Sequence, residues 1–454
     1  MLIPINPYTG KELAGYESID NEAELHHRIG LAQMAFPEWS AHSFKARGDA
    51  LRRLATELRR QKPVLTELMA QEMGKPVKEG GLEVEKSAFC ADYYADQAEQ
   101  FLARQNLQSD ASSSYVEYQP LGVVLGILPW NAPLWLAFRF LAPALMAGNT
   151  CLLKHDPHVP GCAKALADAI EAAALPHHVV ENLPLPNHLV QAAIADKRVQ
   201  AVSFTGSSAS GRRVAIAAAE QLKPAVLELG GSDPCIVLAD ANLEKAADVV
   251  TLSRIINAGQ SCIAAKRILI EAPVYAQFTT LLQTRLEKLT LGDPLKPDTD
   301  IGPLARQDLR DNLHRQVQQT IAAGAKCLLG GTLPNGPGFL YPPTLLTDVQ
   351  PGMCAFEEET FGPVMCLTPV DNFTHAMQLA NQTDYGLGAS IWTASPEKAE
   401  HAARHLVAGQ VAINGIVKTD PRLPSGGVKQ SGYGRELGPH GIREFVNVKQ
   451  VWVG

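Results

Sequence analysis

The chain lacks the cysteine and histidine spacings that hold metals. Its eight cysteines (Cys90, Cys151, Cys162, Cys235, Cys262, Cys327, Cys354 and Cys366) include no Cys-x-x-Cys pair, and its thirteen histidines no His-Glu-x-x-His. No metal site or dithiol redox motif is therefore expected. The pairs His26-His27 and His177-His178 read as surface residues rather than ligands. A large chain with scattered thiols suits a reducing, cytoplasmic setting. A polybasic tail is also missing, and the net charge is −7, so nucleic acid is not an expected partner. The opening run Met-Leu-Ile-Pro-Ile-Asn-Pro has no basic start or apolar core, so no secretory leader is expected. One apolar stretch, residues 121–148, carries Asn131 and Arg139 inside it and is broken by Pro129, Pro133 and Pro143. It reads as a buried strand, a loop and a core helix, not as a membrane span. There is no internal repeat and no low-complexity linker.

What is present is a large apolar fraction, 46% of 454 residues, enough core for about two to four domains. Residues 21–105 read as helices, with Leu51, Leu54, Leu58 and Leu65 recurring near helical spacing and a break at Met73-Gly74-Lys75-Pro76. From about residue 115 short apolar runs take over: Val123–Leu128, Thr150–Lys154, Ala201–Phe204 and Ala225–Leu229. Helical stretches at 161–174 and 208–221 separate them, as in a doubly wound α/β domain. A second series follows, with strands near Cys235–Leu238, Arg267–Ile270 and Gln410–Ile413 and helices at 242–257, 274–289 and 304–323. The end, Glu444–Val453, alternates like an exposed strand, and an edge strand of that kind invites pairing with another chain.

Three segments carry chemistry. Cys262 follows Asn257-Ala258-Gly259-Gln260-Ser261, and Ile263-Ala264-Ala265 reads as the start of a helix, which would favour a thiolate. Its own N–H would serve as an oxyanion donor. Glu228 interrupts an apolar strand ahead of Gly230-Gly231, so it needs either a buried cationic partner or a role as general base. Asn131, in Pro129-Trp130-Asn131-Ala132-Pro133, is either an Asx-turn residue or a fixed amide donor for an oxyanion. A nucleophilic thiol, a base and an oxyanion donor are the parts that acyl chemistry at a carbonyl requires. Phe204-Thr205-Gly206-Ser207-Ser208-Ala209-Ser210-Gly211 ends a strand and opens a helix, presenting N–H groups to a phosphate, although it is not a Gly-x-Gly-x-x-Gly. Lys154 closes a strand where a cation can reach a ribose or a phosphate.

These segments, together with Glu359-Thr360-Phe361-Gly362-Pro363 and Gly426–Glu436, resemble the NAD(P)-dependent aldehyde dehydrogenases from about Ile5 to the C-terminus. The run is most similar to the compact bacterial succinate-semialdehyde dehydrogenases. The resemblance implies an α/β fold in three parts: a Rossmann-like cofactor domain (1–108 and 122–230), a catalytic domain (231–435), and a small β oligomerisation arm (109–121 and 436–454) that joins subunits into a homodimer or homotetramer. It implies that Cys262 attacks an aldehyde, that Asn131 and the Cys262 N–H hold the oxyanion, and that Glu228 activates water against the thioester. Trp130, Lys154, Gly206, Ser207, Gly211 and Leu229 would line the dinucleotide, Glu359 would hold the nicotinamide ribose, and Phe361 would pack near the ring.

The departures bear on specificity. The strand-ending lysine is followed by His155-Asp156-Pro157, where relatives often have Pro and, three residues past the lysine, Glu. NAD is expected as cofactor, with NADP accepted. Arg139-Phe140 stands where many relatives have Arg-Lys, which leaves Glu436 without the lysine it often pairs with. Arg139 is read either as a structural ion pair or as a guanidinium facing the aldehyde and gripping an ω-carboxylate, with Ser425 leaving room for it. Ile256 stands where a second arginine is frequent. Succinate semialdehyde is the expected substrate, a broader aliphatic or ω-carboxy aldehyde range the alternative. Transfer of the thioester to coenzyme A or phosphate, and a non-catalytic scaffold, are weaker readings because Cys262, Glu228 and Asn131 are all present.

Overall fold

A computed structural model describes residues 1–454. Four helices come first: α1 (Glu22–Ala41), α2 (Phe44–Arg60), α3 (Lys62–Met73) and α4 (Val77–Phe101). Local chemistry sets their ends. Asn21 and Ser43 cap α1 and α2 through their side chains, and Gly74 takes the left-handed conformation (φ 79°) that stops α3. The α2 leucines Leu51, Leu54 and Leu58 are fully buried, as their spacing requires.

The chain then builds β1 (Gln105–Asn106), β2 (Ser113–Pro120), β3 (Val123–Leu128), α5 (Pro133–Met146), β4 (Thr150–His155), α6 (Pro160–Ala172), β5 (Val180–Asn182), α7 (Val190–Ala195), β6 (Val199–Thr205), α8 (Ser208–Glu220) and β7 (Ala225–Glu228). Every residue of β3, β4 and α5 is buried, which accounts for the apolar run at 121–148. No helix is long and apolar enough to cross a membrane. The second half holds β8 (Asp233–Val237), α9 (Leu243–Ile255), β9 (Ala265–Glu271), α10 (Tyr275–Leu286), α11 (Gln307–Ala322), β10 (Lys326–Leu329), β11 (Thr344–Thr347), α12 (Cys354–Glu357), β12 (Val364–Val370), α13 (Phe373–Asn381), β13 (Gly388–Trp392), α14 (Pro396–His405) and β14 (Gln410–Ile413). Last come β15 (Gly432–Tyr433), α15 (Gly438–Arg443) and β16 (Val446–Val453).

Three sheets result. One has the order β15-β7-β6-β3-β4-β5, and its β7-β6-β3-β4-β5 core is parallel. A seven-stranded sheet runs β10-β11-β12-β9-β8-β13-β14. Buried apolar clusters cover both faces of each, the pattern that continuous hydrophobic strands demand. The third sheet, β1-β2-β16, leaves β16 at its edge with Val448 and Trp452 exposed. β15 returns to the first sheet and pairs Gly432 opposite Glu228.

Asn149 ties the arm to the core. Its side-chain oxygen accepts from the N–H groups of Leu121 and Gly122, and its amide donates to the carbonyls of Ala144 and Phe445, with Asn149 itself fully buried. Asn149→Ala takes these side-chain partners from the N–H groups of Leu121 and Gly122 and from the Phe445 carbonyl, while the Ala144 carbonyl keeps the backbone N–H of residue 149. It should lower unfolding free energy by about 2–4 kcal/mol in urea titrations. A loss below about 0.5 kcal/mol would show that the clamp is dispensable.

Candidate active site

In the first sheet, β3 and β6 are neighbours, yet the chain leaves them in opposite directions: β4 and β5 lie beyond β3, β7 beyond β6. The crevice past their C-terminal ends is the switch point at which open α/β sheets take ligands. Trp130 and Asn131 follow β3, Gly206 and Ser207 follow β6, and Lys154 lies near the end of β4. Ser207 caps α8, accepting from the Ser210 N–H at 3.3 Å, and so organises an N-terminus able to face an anion. Gly211 is required there: a Cβ on it would lie 2.4 Å from Leu229 Cδ2. Thr205 Oγ1 is buried without a partner. Lys154 donates to Asn187 Oδ1 at 2.7 Å. The neighbouring His155, pushed down to about 4 by burial, lies 3.0 Å from the Pro133 carbonyl, joining β4 to the start of α5. Trp130 meets Phe361 edge-on, with centroids 5.9 Å apart. Glu359 accepts from the Gly231 N–H at 3.1 Å and pairs with Lys266 at 3.1 Å. The residues fit an extended, phosphate-bearing ligand at one end and an aromatic-lined slot at the other.

The turn ahead of Cys262 is strained. Asn257, Ala258 and Gly259 all have positive φ (56°, 53° and 73°), a left-handed run that non-glycine residues seldom adopt. The Asn257 N–H donates to Glu79 Oε2 at 2.7 Å, and its amide reaches the carbonyls of Asn131 and Gln260. Gly259 has no room for a Cβ, which would lie 2.3 Å from the Gly362 carbonyl oxygen. The expected helix at Ile263 does not form: Cys262 stands in a turn that leads into β9. An apolar triplet fits a strand as well as a helix, and sheet pairing decides it. No helix dipole therefore favours the thiolate. Burial pushes the Cys262 thiol up to about 12, against the pull of Arg139 and Lys266. Lys266 holds the turn by donating to the carbonyls of Ser261 and Cys262 at 3.0 and 2.6 Å.

Gly231 packs against the Cys262 carbonyl oxygen, 3.0 Å from where a Cβ would lie, and the Glu228 carboxylate is near enough to act on the Cys262 thiol electrostatically. The cationic partner of Glu228 is Arg139. Its Nη2 donates to Glu228 Oε2 at 2.7 Å and to Ser425 Oγ at 3.3 Å, and its Nε lies 2.5 Å from Glu436 Oε2. Arg139 is 2% exposed, and Ser425 1%. Of the two readings of Arg139, the structure shows the ion pair: two buried carboxylates face the guanidinium. Ser425 is likewise occupied, receiving bonds from Arg139 and Gln410 and sharing a two-bond backbone bridge with Glu436. Glu436, which has no lysine at position 140, pairs instead with Arg139 beside Phe140. Glu228 Oε1 keeps no partner. Asn131 is half-buried, and its amide donates to the Gln260 carbonyl at 3.0 Å, which spends one of its two hydrogens. The backbone N–H of Cys262 donates to no protein group. Sequence reading missed Lys266, Glu79, and the pair Lys75–Glu83 that anchors the Asn131 carbonyl and the N–H groups of Leu134 and Trp135. Lys75 lies in the break of the helical run, the one signal that would have marked it, while Glu83 lies within α4 and carries no such signal.

Residues 2–451 match the aldehyde dehydrogenase family. The chain belongs to it. This enzyme is 46% identical over 449 residues, 99% of each chain, to the probable succinate-semialdehyde dehydrogenase [NADP(+)] of Synechocystis sp.. It is 42% identical over 452 residues, 99% of each, to the succinate-semialdehyde dehydrogenase [NADP(+)] of Mycobacterium leprae. Among solved structures it superposes with a TM-score of 0.97 on succinic semialdehyde dehydrogenase from Streptococcus pyogenes in complex with NADP+, at 33% identity with full coverage of both chains. An NAD-dependent aldehyde dehydrogenase from Sinorhizobium meliloti gives 0.96 at 32% identity, covering 100% of this chain and 91% of the other.

The raised thiol makes a kinetic prediction for the enzyme without cofactor. Alkylation of Cys262 by iodoacetamide should be slow at pH 7–8 and keep rising tenfold per pH unit beyond about pH 9, the range where an ordinary thiol levels off. A plateau near pH 8 would show a thiolate stabilised in the resting site.

Proposed function

We propose that this aldehyde dehydrogenase oxidises succinate semialdehyde to the free acid, with Cys262 as nucleophile and Glu228 as base. The carrying observation is the divided carboxylate of Glu228: Oε2 is fastened to Arg139 while Oε1, beside the Cys262 turn, is unpartnered. The Cys262 thiol gives up its proton to solvent water, and Sγ bonds to the aldehyde carbon as the C=O π pair moves onto oxygen. The resulting oxyanion takes hydrogen bonds from the Cys262 N–H and the second hydrogen of the Asn131 amide. Collapse of the oxyanion expels hydride and leaves a thioester. A bound nicotinamide dinucleotide supplies the acceptor for that hydride. Glu228 Oε1 then takes a proton from water as its oxygen attacks the thioester, freeing the acid and the thiol. Arg139 acts as a positioning residue for Glu228. A carboxylate poised for water beside the cysteine favours hydrolysis over transfer to coenzyme A or phosphate.

For the dinucleotide, Ser207, Gly206 and Gly211 suit the diphosphate, Trp130 and Leu229 the walls, Lys154 the adenosine ribose, and Glu359 with Phe361 the nicotinamide end. NAD is proposed first, with NADP accepted. Burial works against ionisation of Asp156, yet bonding from His158 holds its carboxyl below the usual range, so an anion sits two residues beyond Lys154. Between Lys154 and Pro160 no further lysine or arginine offsets it. The relatives named for NADP(+) make the titration of both cofactors decisive: a preference for NADP above about tenfold would overturn the ordering. We also propose the three-part domain division at residues 108, 121, 230 and 435, and a homodimer or homotetramer built on the exposed edge of β16. A cytoplasmic setting suits the eight free thiols.

Cys262→Ala should abolish turnover. Glu228→Gln should give one burst of reduced cofactor per active site and then stall at the thioester. Asn131→Ala should cost about 10²–10³ in kcat. Steady turnover by Glu228→Gln at more than a few per cent of the wild-type rate would remove Glu228 from deacylation.

A further inference from the structure

Of the two groups assigned to the oxyanion, the Asn131 amide is fastened to the Gln260 carbonyl at 3.0 Å. The Cys262 N–H has no such tether, because it donates to no protein group. Its direction is set by the peptide it belongs to. That peptide joins Ser261 to Cys262 and is trans and planar, so its C=O and N–H point in opposite directions. Whatever grips the Ser261 carbonyl therefore aims the Cys262 N–H. Two groups grip it: the Ala264 N–H at 3.3 Å and Lys266 Nζ at 3.0 Å. Lys266 Nζ also donates to the carbonyl of Cys262 itself, at 2.6 Å. The peptides before and after the nucleophile thus converge on one ammonium.

That ammonium is a rigid reference point. Lys266 lies on β9, an interior strand paired with β8 on one side and β12 on the other, and it has no solvent exposure. Glu359 Oε1 lies 3.1 Å from its Nζ, so three acceptors surround its three hydrogens and fix where they point. The turn it grips follows the strained run Asn257–Gly259 and needs such an anchor. Charge adds to geometry. A cation bonded to a carbonyl oxygen draws electron density from the amide nitrogen and strengthens its N–H as a donor. Arg139, the other cation that acts on the thiol, is held by Glu228 and Glu436 and bonds to neither carbonyl. Building on the nucleophile role of Cys262 set out above, we propose that Lys266 is the positioning residue of the oxyanion site, aiming and polarising the Cys262 N–H through the Ser261 carbonyl.

The test compares two reactions of Cys262 in the enzyme without dinucleotide, each followed at the Cys262 peptide by mass spectrometry. In the first, p-nitrophenyl acetate acylates the thiolate: sulfur adds to the carbonyl, an oxyanion forms, and p-nitrophenolate leaves. In the second, iodoacetamide alkylates it: sulfur displaces iodide at a saturated carbon and no oxyanion forms. Both rates follow the thiolate fraction, so their ratio at one pH reports the oxyanion site alone. In Lys266→Met the ratio of acylation to alkylation should fall about 10- to 100-fold. Lys266→Gln, which keeps an N–H donor and drops the charge, should fall between it and the wild type. A ratio within about threefold of the wild type in Lys266→Met, including an equal loss of both reactions, would overturn the proposal and make Lys266 structural. If Lys266→Met does not fold, as urea titration would show, Lys266→Gln decides by the same limit. Asn131→Ala separates this from the mechanism it builds on. If that variant lowers the ratio and the Lys266 variants do not, the oxyanion site stands and Lys266 falls. If none of them lowers it, both fall.

Discussion

A single buried guanidinium organises the chemistry of this enzyme. Arg139 lies between Glu228 and Glu436, all three nearly without solvent. Burial alone would weaken its charge, but the two carboxylates hold it protonated. Removing the cation would leave two anions in a low-dielectric interior, a cost of several kcal/mol that the fold could escape only by protonating them. Burial and repulsion from Glu228 already push the Glu436 carboxyl up, and Arg139 is what opposes that rise. The orientation of the Glu228 carboxylate thus depends on a residue 89 positions away in the chain.

The strands and most helices were legible in sequence because parallel strands buried on both faces read as unbroken apolar runs. Val123–Leu128 shows it in full, and Cys151–Leu153 and Ala201-Val202 show it in part. The residues of the site were legible as chemical types standing where burial should forbid them, as Glu228 does on its strand. Their partners were not. Arg139 meets Glu228 across 89 residues and Ser425 across 286, and no local pattern encodes such pairings. The turn at Cys262 was misread for a related reason: Ile263-Ala264-Ala265 is compatible with either structure, and pairing of β9 with β8 and β12 selects the strand.

The fold also stores strain where the chemistry occurs. The left-handed run Asn257–Gly259 costs on the order of 1–3 kcal/mol per non-glycine residue and persists only because its surroundings over-determine it. Glu79 takes the Asn257 N–H, Gly362 closes over Gly259, and Lys266 fastens the next two carbonyls. The Asn257 amide also donates to the Asn131 carbonyl at 2.8 Å, which Lys75 shares at 2.9 Å. Asn131 and the turn bearing Cys262 are therefore held by one network.

Helix α4 is the common support of that network. Glu79 holds the strained turn, and Glu83 caps the start of α5 through the N–H groups of Leu134 and Trp135. Both carboxylates look inward from one face of a helix whose other faces meet α2 and α3. Burial raises the Glu79 carboxyl to about 7 against the pull of the Asn257 N–H, so the turn is tied to a group that is costly to keep charged. Under the proposed roles, the geometry this cost secures is that of Cys262 relative to Asn131. A 1 Å displacement there would forfeit the alignment on which addition to a carbonyl depends.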